Sequence, residues 1–178
     1  MDNLLYYLDK AKKCLELYYE QNKHTNYISY NNTPIDYFKW IDTKTKMLIN
    51  SKNTYFHSNQ KLVRGDVVWV EFGFNIGNEF SGRHPAVILK NGGKTLLVIP
   101  ITSKQPTAKQ LSSKIYVELN HIYNFKPLRR WVNIFNIIPI SIQRIDFKAK
   151  KGNLKGIDLN NISNAFMQSD LFKYIPPK

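Results

Sequence analysis

Two short clusters in the second half of the chain hold side chains that could do chemistry. Arg83 and His84 stand next to each other, and an unperturbed imidazole titrates near pH ~6.5, so His84 suits proton transfer. A second cluster places two guanidinium groups next to an aromatic ring, in Arg129, Arg130 and Trp131. This combination is common in proteins that bind single-stranded RNA. The alternative for the second cluster is a charged start to a strand whose Trp131 lies in the core.

The charge of the chain favours a polyanionic partner. The 178 residues include 26 Lys and Arg against 13 Asp and Glu, a formal net charge of +13. Eighteen of the basic residues but only seven of the acidic ones lie in residues 61–178, so the positive field belongs to that part. Such a field attracts nucleic acid, although a lysine-rich surface can also serve solubility alone.

Composition argues against several other classes of protein. No apolar run approaches the ~20 residues of a membrane-spanning helix, and the N-terminus lacks the basic start and apolar core of a signal peptide. Cys14 is the only cysteine, so no internal disulfide can form, and no cluster of Cys and His suggests a metal site. We therefore expect a cytoplasmic protein that makes no membrane contact.

The first sixty residues are predicted to form a pair of helices. Apolar residues recur at helical spacing from Leu4 to Tyr19. Thr33 is a candidate N-cap, Pro34 suits the first helical position, and Asp36 lies in the first turn. Eight of the eleven tyrosines lie in this segment. They could stack on RNA bases, but amphipathic helices that pack on a core or a partner explain them more simply.

From Lys61 onward the pattern changes to short strands. Asn91-Gly92-Gly93 between two apolar runs is a strong hairpin signal, and Asp158 can cap a final helix. Short antiparallel strands followed by a helix predict an α+β fold that is mainly β, with a small barrel-like sheet. The predicted strands are residues 67–72, 85–90, 94–100, 115–119 and 131–138.

Several motifs follow one another in a characteristic order along the second part of the chain. They are Arg64-Gly65-Asp66 before a strand, Gly77-Asn78-Glu79 in a turn, Gly82-Arg83-His84-Pro85 before an apolar strand, Ile99-Pro100-Ile101-Thr102-Ser103 at a strand end, and Ile142-Gln143-Arg144-Ile145 with Lys150-Lys151-Gly152 before the last helix. Through them, residues 62–172 resemble the MazF/PemK-type toxins, the endoribonucleases of type II toxin–antitoxin systems. Two domains are thus expected: a helical extension over residues 1–60, foreign to that family's basic pattern, and a MazF/PemK-like barrel over residues 61–178.

The resemblance implies an SH3-like antiparallel barrel with a C-terminal helix, usually a homodimer, that cuts single-stranded RNA without a metal or other cofactor. The ribose 2′-hydroxyl attacks the adjacent phosphate, leaving a 2′,3′-cyclic phosphate and a 5′-hydroxyl. This reaction needs a group that takes the 2′ proton, a donor to the leaving oxygen and positive charge at the phosphate. The family supplies these with an arginine before the proline and a threonine at a strand end, which Thr102 matches.

The family's arginine position is held here by His84, and Arg83 stands one residue earlier. On a strand, a shift of one residue turns a side chain to the opposite face, whereas a loop can absorb it. Strict register from Pro85 favours His84. Family precedent and the permanent charge of a guanidinium, which stabilises a pentacoordinate phosphate without pKa tuning, favour Arg83. Arg83, His84 and Thr102 are therefore the candidate catalytic residues, unless the exchange has abolished activity.

The resemblance also implies an RNA-binding surface and a protein partner. Candidate RNA-binding residues are Ser103, Lys104, Arg129 and Arg130, while Glu79 is expected to order its loop. The expected partner is a cognate antitoxin, a small acidic protein whose tail covers the basic groove. Two alternatives remain: a catalytically inactive MazF-like toxin that binds nucleic acid or protein as gyrase poisons do, and a toxin inhibited by an RNA antitoxin.

Overall fold

The computed structural model describes residues 2–25, 33–51 and 61–169. The chain divides into two units, Met1–Leu48 and Ile49–Lys178, and each is described by itself. Within the described ranges, no helix combines the length and apolarity that crossing a membrane requires.

The N-terminal unit contains α1 (Asp2–Asn22) and most of α2 (Pro34–Ser51), whose last residues lie beyond Leu48. Thr33 caps α2 as the sequence predicts: its hydroxyl accepts the Asp36 N–H at 3.2 Å, and the Asp36 carboxylate accepts the Thr33 N–H at 3.0 Å. This reciprocal pair satisfies donors that a helix start leaves open. The ring of Tyr18 on α1 packs edge-on against Tyr37 on α2 at 4.8 Å between centroids.

The first half of α1 leaves apolar side chains uncovered. Leu4 is 82% exposed and Leu5 is 60% exposed, and Leu8 lies on the same stretch of helix with about half of its surface open. These three leucines form the exposed α1 stripe. The sequence between the helices, rich in polar and turn-forming residues from Asn22 to Asn32, lies largely outside the described residues.

Between residues 61 and 169, the second unit contains seven antiparallel strands and two α-helices. The strands are β1 (Asp66–Glu71), β2 (Arg83–Asn91), β3 (Thr95–Thr102), β4 (Tyr116–Leu119), β5 (Arg130–Asn133), β6 (Ile138–Ser141) and β7 (Gly152–Asn153). The helices are α3 (Ala108–Ser112) and α4 (Ile157–Gln168). The strand order is β4-β5-β3-β2-β1-β7, with β6 beside β3. The predicted α+β class, mainly β with helices at both ends, is confirmed.

The sheet curls until its two outer strands come together. Tyr123, just after β4, forms a bridge with Asn153 of β7 through two backbone hydrogen bonds of 3.0 and 3.3 Å. The hairpin between β2 and β3 turns at Asn91, as predicted, where the Asn91 side chain accepts the Gly93 N–H at 2.7 Å. Gly93 has φ +87°, a conformation that glycine adopts without steric cost.

Two predictions about individual elements were wrong. Residues 131–138 do not form one strand, because the Asn133 side chain accepts the Phe135 N–H at 2.9 Å and starts a 3₁₀ turn between β5 and β6. Asp158 does not cap α4, which begins after Gly156. Asp158 is instead buried in the first turn, where its carboxylate accepts the backbone N–H of Asn120 at 3.0 Å.

The sheet has a hydrophobic core on each face. The helix-side core includes Val67, Val87, Ile99, Val132 and, from α4, Ile162. The β6-side core includes Val70, Ala86, Val98 and Ile140. Successive residues of a strand point to opposite faces of the sheet. A residue that belongs to one core therefore shows to which face its neighbours in the strand point.

Candidate active site

His84 and Thr102 lie on the same face of the sheet. His84 pairs with Val70, and Ala86 pairs with Pro100. Val70 and Ala86 both belong to the β6-side core. Because His84 precedes Ala86 by two residues and Thr102 follows Pro100 by two, strand alternation turns both side chains to that face.

The surroundings of His84 favour the neutral form of its imidazole. The ring lies half-buried, edge-on to Phe80, with 4.7 Å between centroids. Burial lowers the pKa of His84 below its ordinary value of 6.5, and a hydrogen bond with the backbone of Ser81 acts in the opposite direction. A neutral imidazole has a free ring nitrogen that can accept a proton.

Thr102 presents a hydroxyl that can still donate. Its Oγ1 accepts the backbone N–H of Lys104 at 3.0 Å, which fixes the oxygen at the end of β3. A hydroxyl that accepts one hydrogen bond retains its own proton for a second. Ser103 and Lys104 follow directly and are exposed to solvent.

Arg83 lies on the opposite face and is held there by two contacts. Its guanidinium donates to the Asp146 carboxylate at 2.8 Å and lies 4.5 Å from the centroid of the Trp69 ring. Arg83 lowers the pKa of Asp146 through this hydrogen bond, which keeps the carboxylate ionised. The Trp69 ring in turn stacks on Phe125, with 6.1 Å between centroids. Arg83 therefore ties β2 to the segment after β6.

The loop between β1 and β2 is ordered by its own side chains. The Glu79 carboxylate accepts the Ile76 N–H at 3.3 Å, so Glu79 orders the turn as expected. The Asn75 side-chain amide donates to the Phe80 carbonyl at 2.7 Å. Arg144 donates to the carbonyls of Glu71 and Phe72 at 3.0 Å each. These bonds hold in place the loop from which Phe80 reaches His84.

Two of the four predicted RNA-binding residues, Arg129 and Arg130, have different surroundings. Arg129 is exposed and forms a two-bond ion pair with Glu118, at 2.7 and 3.0 Å. Arg130 is only 9% exposed, and its guanidinium donates to the Lys126 carbonyl at 2.9 Å. Burial lowers the pKa of Arg130. The Arg130 guanidinium is therefore buried and bonded to the backbone. The other three predicted RNA-binding residues are exposed to solvent: Ser103, Lys104 and Arg129.

Sequence reasoning did not identify Asp146, Trp69 or Glu118 as neighbours of these candidates. Arg83 and Asp146 are separated by 63 positions in sequence. Only the topology that brings β1 beside the segment after β6 places them together, so no local motif carried this signal.

Comparison with known proteins identifies the family. The family model of PemK-like, MazF-like toxins of type II toxin–antitoxin systems matches residues 63–169. The chain belongs to this toxin family, as its motifs predicted. The crystal structure of MazF (Form-I) from Deinococcus radiodurans is similar at 16% identity and a TM-score of 0.43, over 63% of this chain and 96% of that one. Comparison with curated proteins finds no match.

Proposed function

We propose that this protein is the toxin of a toxin–antitoxin system and a metal-independent endoribonuclease for single-stranded RNA. The observation that carries the proposal is the shared face of His84 and Thr102. Family membership supplies the reaction class, and the excess of positive charge in residues 61–178 suits a polyanionic substrate.

The proposed reaction is an intramolecular transesterification of the RNA backbone. Neutral His84 takes the proton of the ribose 2′-hydroxyl, and the 2′ oxygen bonds to the adjacent phosphorus. The bond from phosphorus to the 5′ oxygen breaks, and Thr102 donates a hydrogen bond to that leaving oxygen, which takes its proton from water. The products are a 2′,3′-cyclic phosphate and a 5′-hydroxyl.

Arg83 is assigned a positioning role in this proposal. Its guanidinium is engaged by Asp146 and Trp69 on the face opposite Thr102. Lys104, exposed and two residues beyond Thr102, is the basic side chain assigned to the scissile phosphate.

A non-cleaving toxin is the second candidate, and the position of Arg83 favours it. If phosphate stabilisation in this family demands an arginine at the position of His84, the chain binds its target without cutting it. Such a protein would act on nucleic acid or on a protein such as gyrase. An inhibitor made of RNA would also fit the charge of the second unit.

The partners follow from the toxin assignment. We propose a cognate antitoxin that is small and acidic, a homodimeric toxin, and a cytoplasmic location. Charge complementarity is the physical support for an acidic partner, because residues 61–178 carry most of the positive excess.

The decisive experiment uses purified protein and single-stranded RNA of mixed sequence in the presence of EDTA. We expect cleavage with 2′,3′-cyclic phosphate ends, identified by mass spectrometry, and loss of cleavage in Thr102→Ala. Cleavage that requires added Mg²⁺ would contradict the metal-independent mechanism. RNA binding without any cleavage, in a protein that still arrests growth when expressed, would support the non-cleaving toxin instead.

A further inference from the structure

The row of side chains on the His84 face continues past Thr102 across two more strands. Thr102 pairs with Trp131 of β5, and Trp131 pairs with Glu118 of β4. Directly paired residues of antiparallel strands have Cα atoms about 5 Å apart. Trp131 is therefore the next side chain along from the candidate catalytic threonine. A nucleotide adjacent to a scissile phosphate at Thr102 would therefore lie beside Trp131 and the side chains that cover it.

Trp131 carries a buried donor for which the described part of the chain offers no acceptor. Its side chain is 2% exposed, and its indole Nε1 is buried without a hydrogen-bond partner among the described residues. Such groups are rare in folded proteins, because removing an N–H from water is costly unless a hydrogen bond replaces the lost one. An acceptor that arrives with a ligand would satisfy this donor.

Arg129, whose guanidinium lies over the Trp131 ring, forms an ion pair with Glu118. A phosphate could take the place of the Glu118 carboxylate in that pair. The Arg129 guanidinium lies 5.2 Å from the centroid of the Trp131 ring and holds Glu118 by two hydrogen bonds of 2.7 and 3.0 Å. The side chains of Arg129 and Glu118 are 65% and 44% exposed, so water screens their attraction. A guanidinium fork binds a phosphate with the same two-bond geometry as a carboxylate.

We propose that Trp131, Arg129 and Glu118 form a subsite for the nucleotide next to the scissile phosphate. An RNA phosphate replaces the Glu118 carboxylate on Arg129, and an oxygen of that nucleotide accepts the Trp131 N–H. Glu118 is then a built-in competitor that occupies the fork in the absence of RNA. The inference rests on the proposed RNA-cleaving function, since it is Thr102 that locates the subsite.

The test measures the affinity of the full-length protein for a fluorescent single-stranded RNA whose riboses carry 2′-fluoro groups and cannot be attacked. Trp131→Phe removes the N–H and keeps an aromatic ring, so we expect the Kd to rise about tenfold while the Tm stays the same or increases. Arg129→Gln should raise the Kd by a similar factor. Glu118→Gln should lower it several-fold, because the competing charge is gone.

Asp42 and Lys46 of α2 provide a matched control, since they form another exposed ion pair, at 2.6 Å. Asp42→Asn and Lys46→Gln change the net charge in the same way as Glu118→Gln and Arg129→Gln. They should move the Kd much less. If Trp131→Phe binds like the wild type, and Glu118→Gln matches Asp42→Asn, the subsite does not exist.

The same measurements separate this inference from the proposed function. Wild-type protein that binds 2′-fluoro RNA but leaves ordinary RNA uncut would refute the nuclease, while the binding data on the three variants would still decide the subsite. Wild-type protein that cuts RNA, with unchanged affinity in all three variants, would refute the subsite alone.

Discussion

At the scale of single residues, Arg83 and His84 differ most in the face of the sheet that each occupies. Arg83 contacts Asp146 and Trp69, so its charge serves the link between β2 and the segment after β6. His84 shares its face with Thr102 and lies against Phe80. A titratable imidazole, and not a permanently charged guanidinium, therefore shares a face of the sheet with Thr102.

The pH dependence of cleavage tests the role proposed for His84. A general base must be neutral, and burial lowers the pKa of His84 below its ordinary 6.5. We expect kcat/KM to be flat above neutral pH and to fall as the pH drops through that lowered pKa. His84→Ala should lose on the order of 10²–10⁴ in rate, the usual contribution of a positioned base. A rate that stays constant over the whole pH range in which the protein remains folded would exclude His84 as the base.

Arg83 provides the complementary prediction. Because its guanidinium lies on the other face, Arg83→Ala should reduce thermal stability and leave the pH profile of cleavage in place. Asp146→Asn weakens the same ion pair from the other side and should reproduce this effect. Calorimetry and the pH profile of both variants check the prediction. Near-complete loss of activity in folded Arg83→Ala, with mild His84→Ala, would return the catalytic role to Arg83.

The sequence could identify the catalytic candidates but not their neighbours. Thr102 and the Arg83-His84 pair follow from ordered motifs, and the one-residue ambiguity between them was visible from Pro85. The contacts of Arg83 with Asp146, and of Arg129 with Glu118, depend on which strands become adjacent. Burial of Arg130 also required the fold, since two adjacent arginines at a strand start look equivalent in sequence.

At the scale of elements, the close approach of β7 to the turn after β4 makes a prediction about stability. A Cβ at Gly152 would lie 2.6 Å from the Phe125 ring and 2.9 Å from the Tyr123 carbonyl. Gly152→Ala should therefore cost about 1–3 kcal/mol of unfolding free energy, as overpacked cores do. Urea titration measures this cost.

A second variant tests whether the ring is the cause. Phe125→Leu removes the nearest atoms, so Gly152→Ala should cost less in the Phe125→Leu background than in the wild type. Equal costs in both backgrounds would show that Phe125 is not the obstacle.

Most elements could be predicted because their signals are local. The Thr33 cap of α2 and the Asn91 turn each depend on side chains that bond within three residues. The predicted strand over residues 131–138 failed for a local reason too, since the Asn133 side chain competes with the β ladder. The prediction that Asp158 caps α4 failed because of a long-range contact: its carboxylate accepts the backbone N–H of Asn120, which is 38 positions away.

At the scale of the whole molecule, the N-terminal helices have a proposed role in assembly rather than in chemistry. We propose that residues 1–60 form a separate extension and residues 61–178 the toxin domain, although the division by contacts falls at Leu48. The exposed α1 stripe offers an apolar surface to a partner, because burial would remove its leucines from water. The candidate catalytic residues all lie in the second unit.

Deletion of residues 1–60 tests this division of labour. We expect the shortened protein to keep cleavage of single-stranded RNA but to lose solubility, dimerisation or neutralisation by its antitoxin. Light scattering and cleavage assays with and without antitoxin measure these properties. A shortened protein that stays soluble, dimeric and fully neutralised would remove the case for a packing role of the helices.

The half-buried histidine beside Phe80 has a consequence for the physiology of such a toxin. If cleavage depends on a neutral imidazole, its rate falls as the imidazolium forms, and burial moves that fall to a pH below the ordinary titration range of histidine. Such a toxin keeps its base neutral during mild acidification and loses it only in stronger acid. A guanidinium keeps its charge throughout that range, so an arginine at this position would show no such loss.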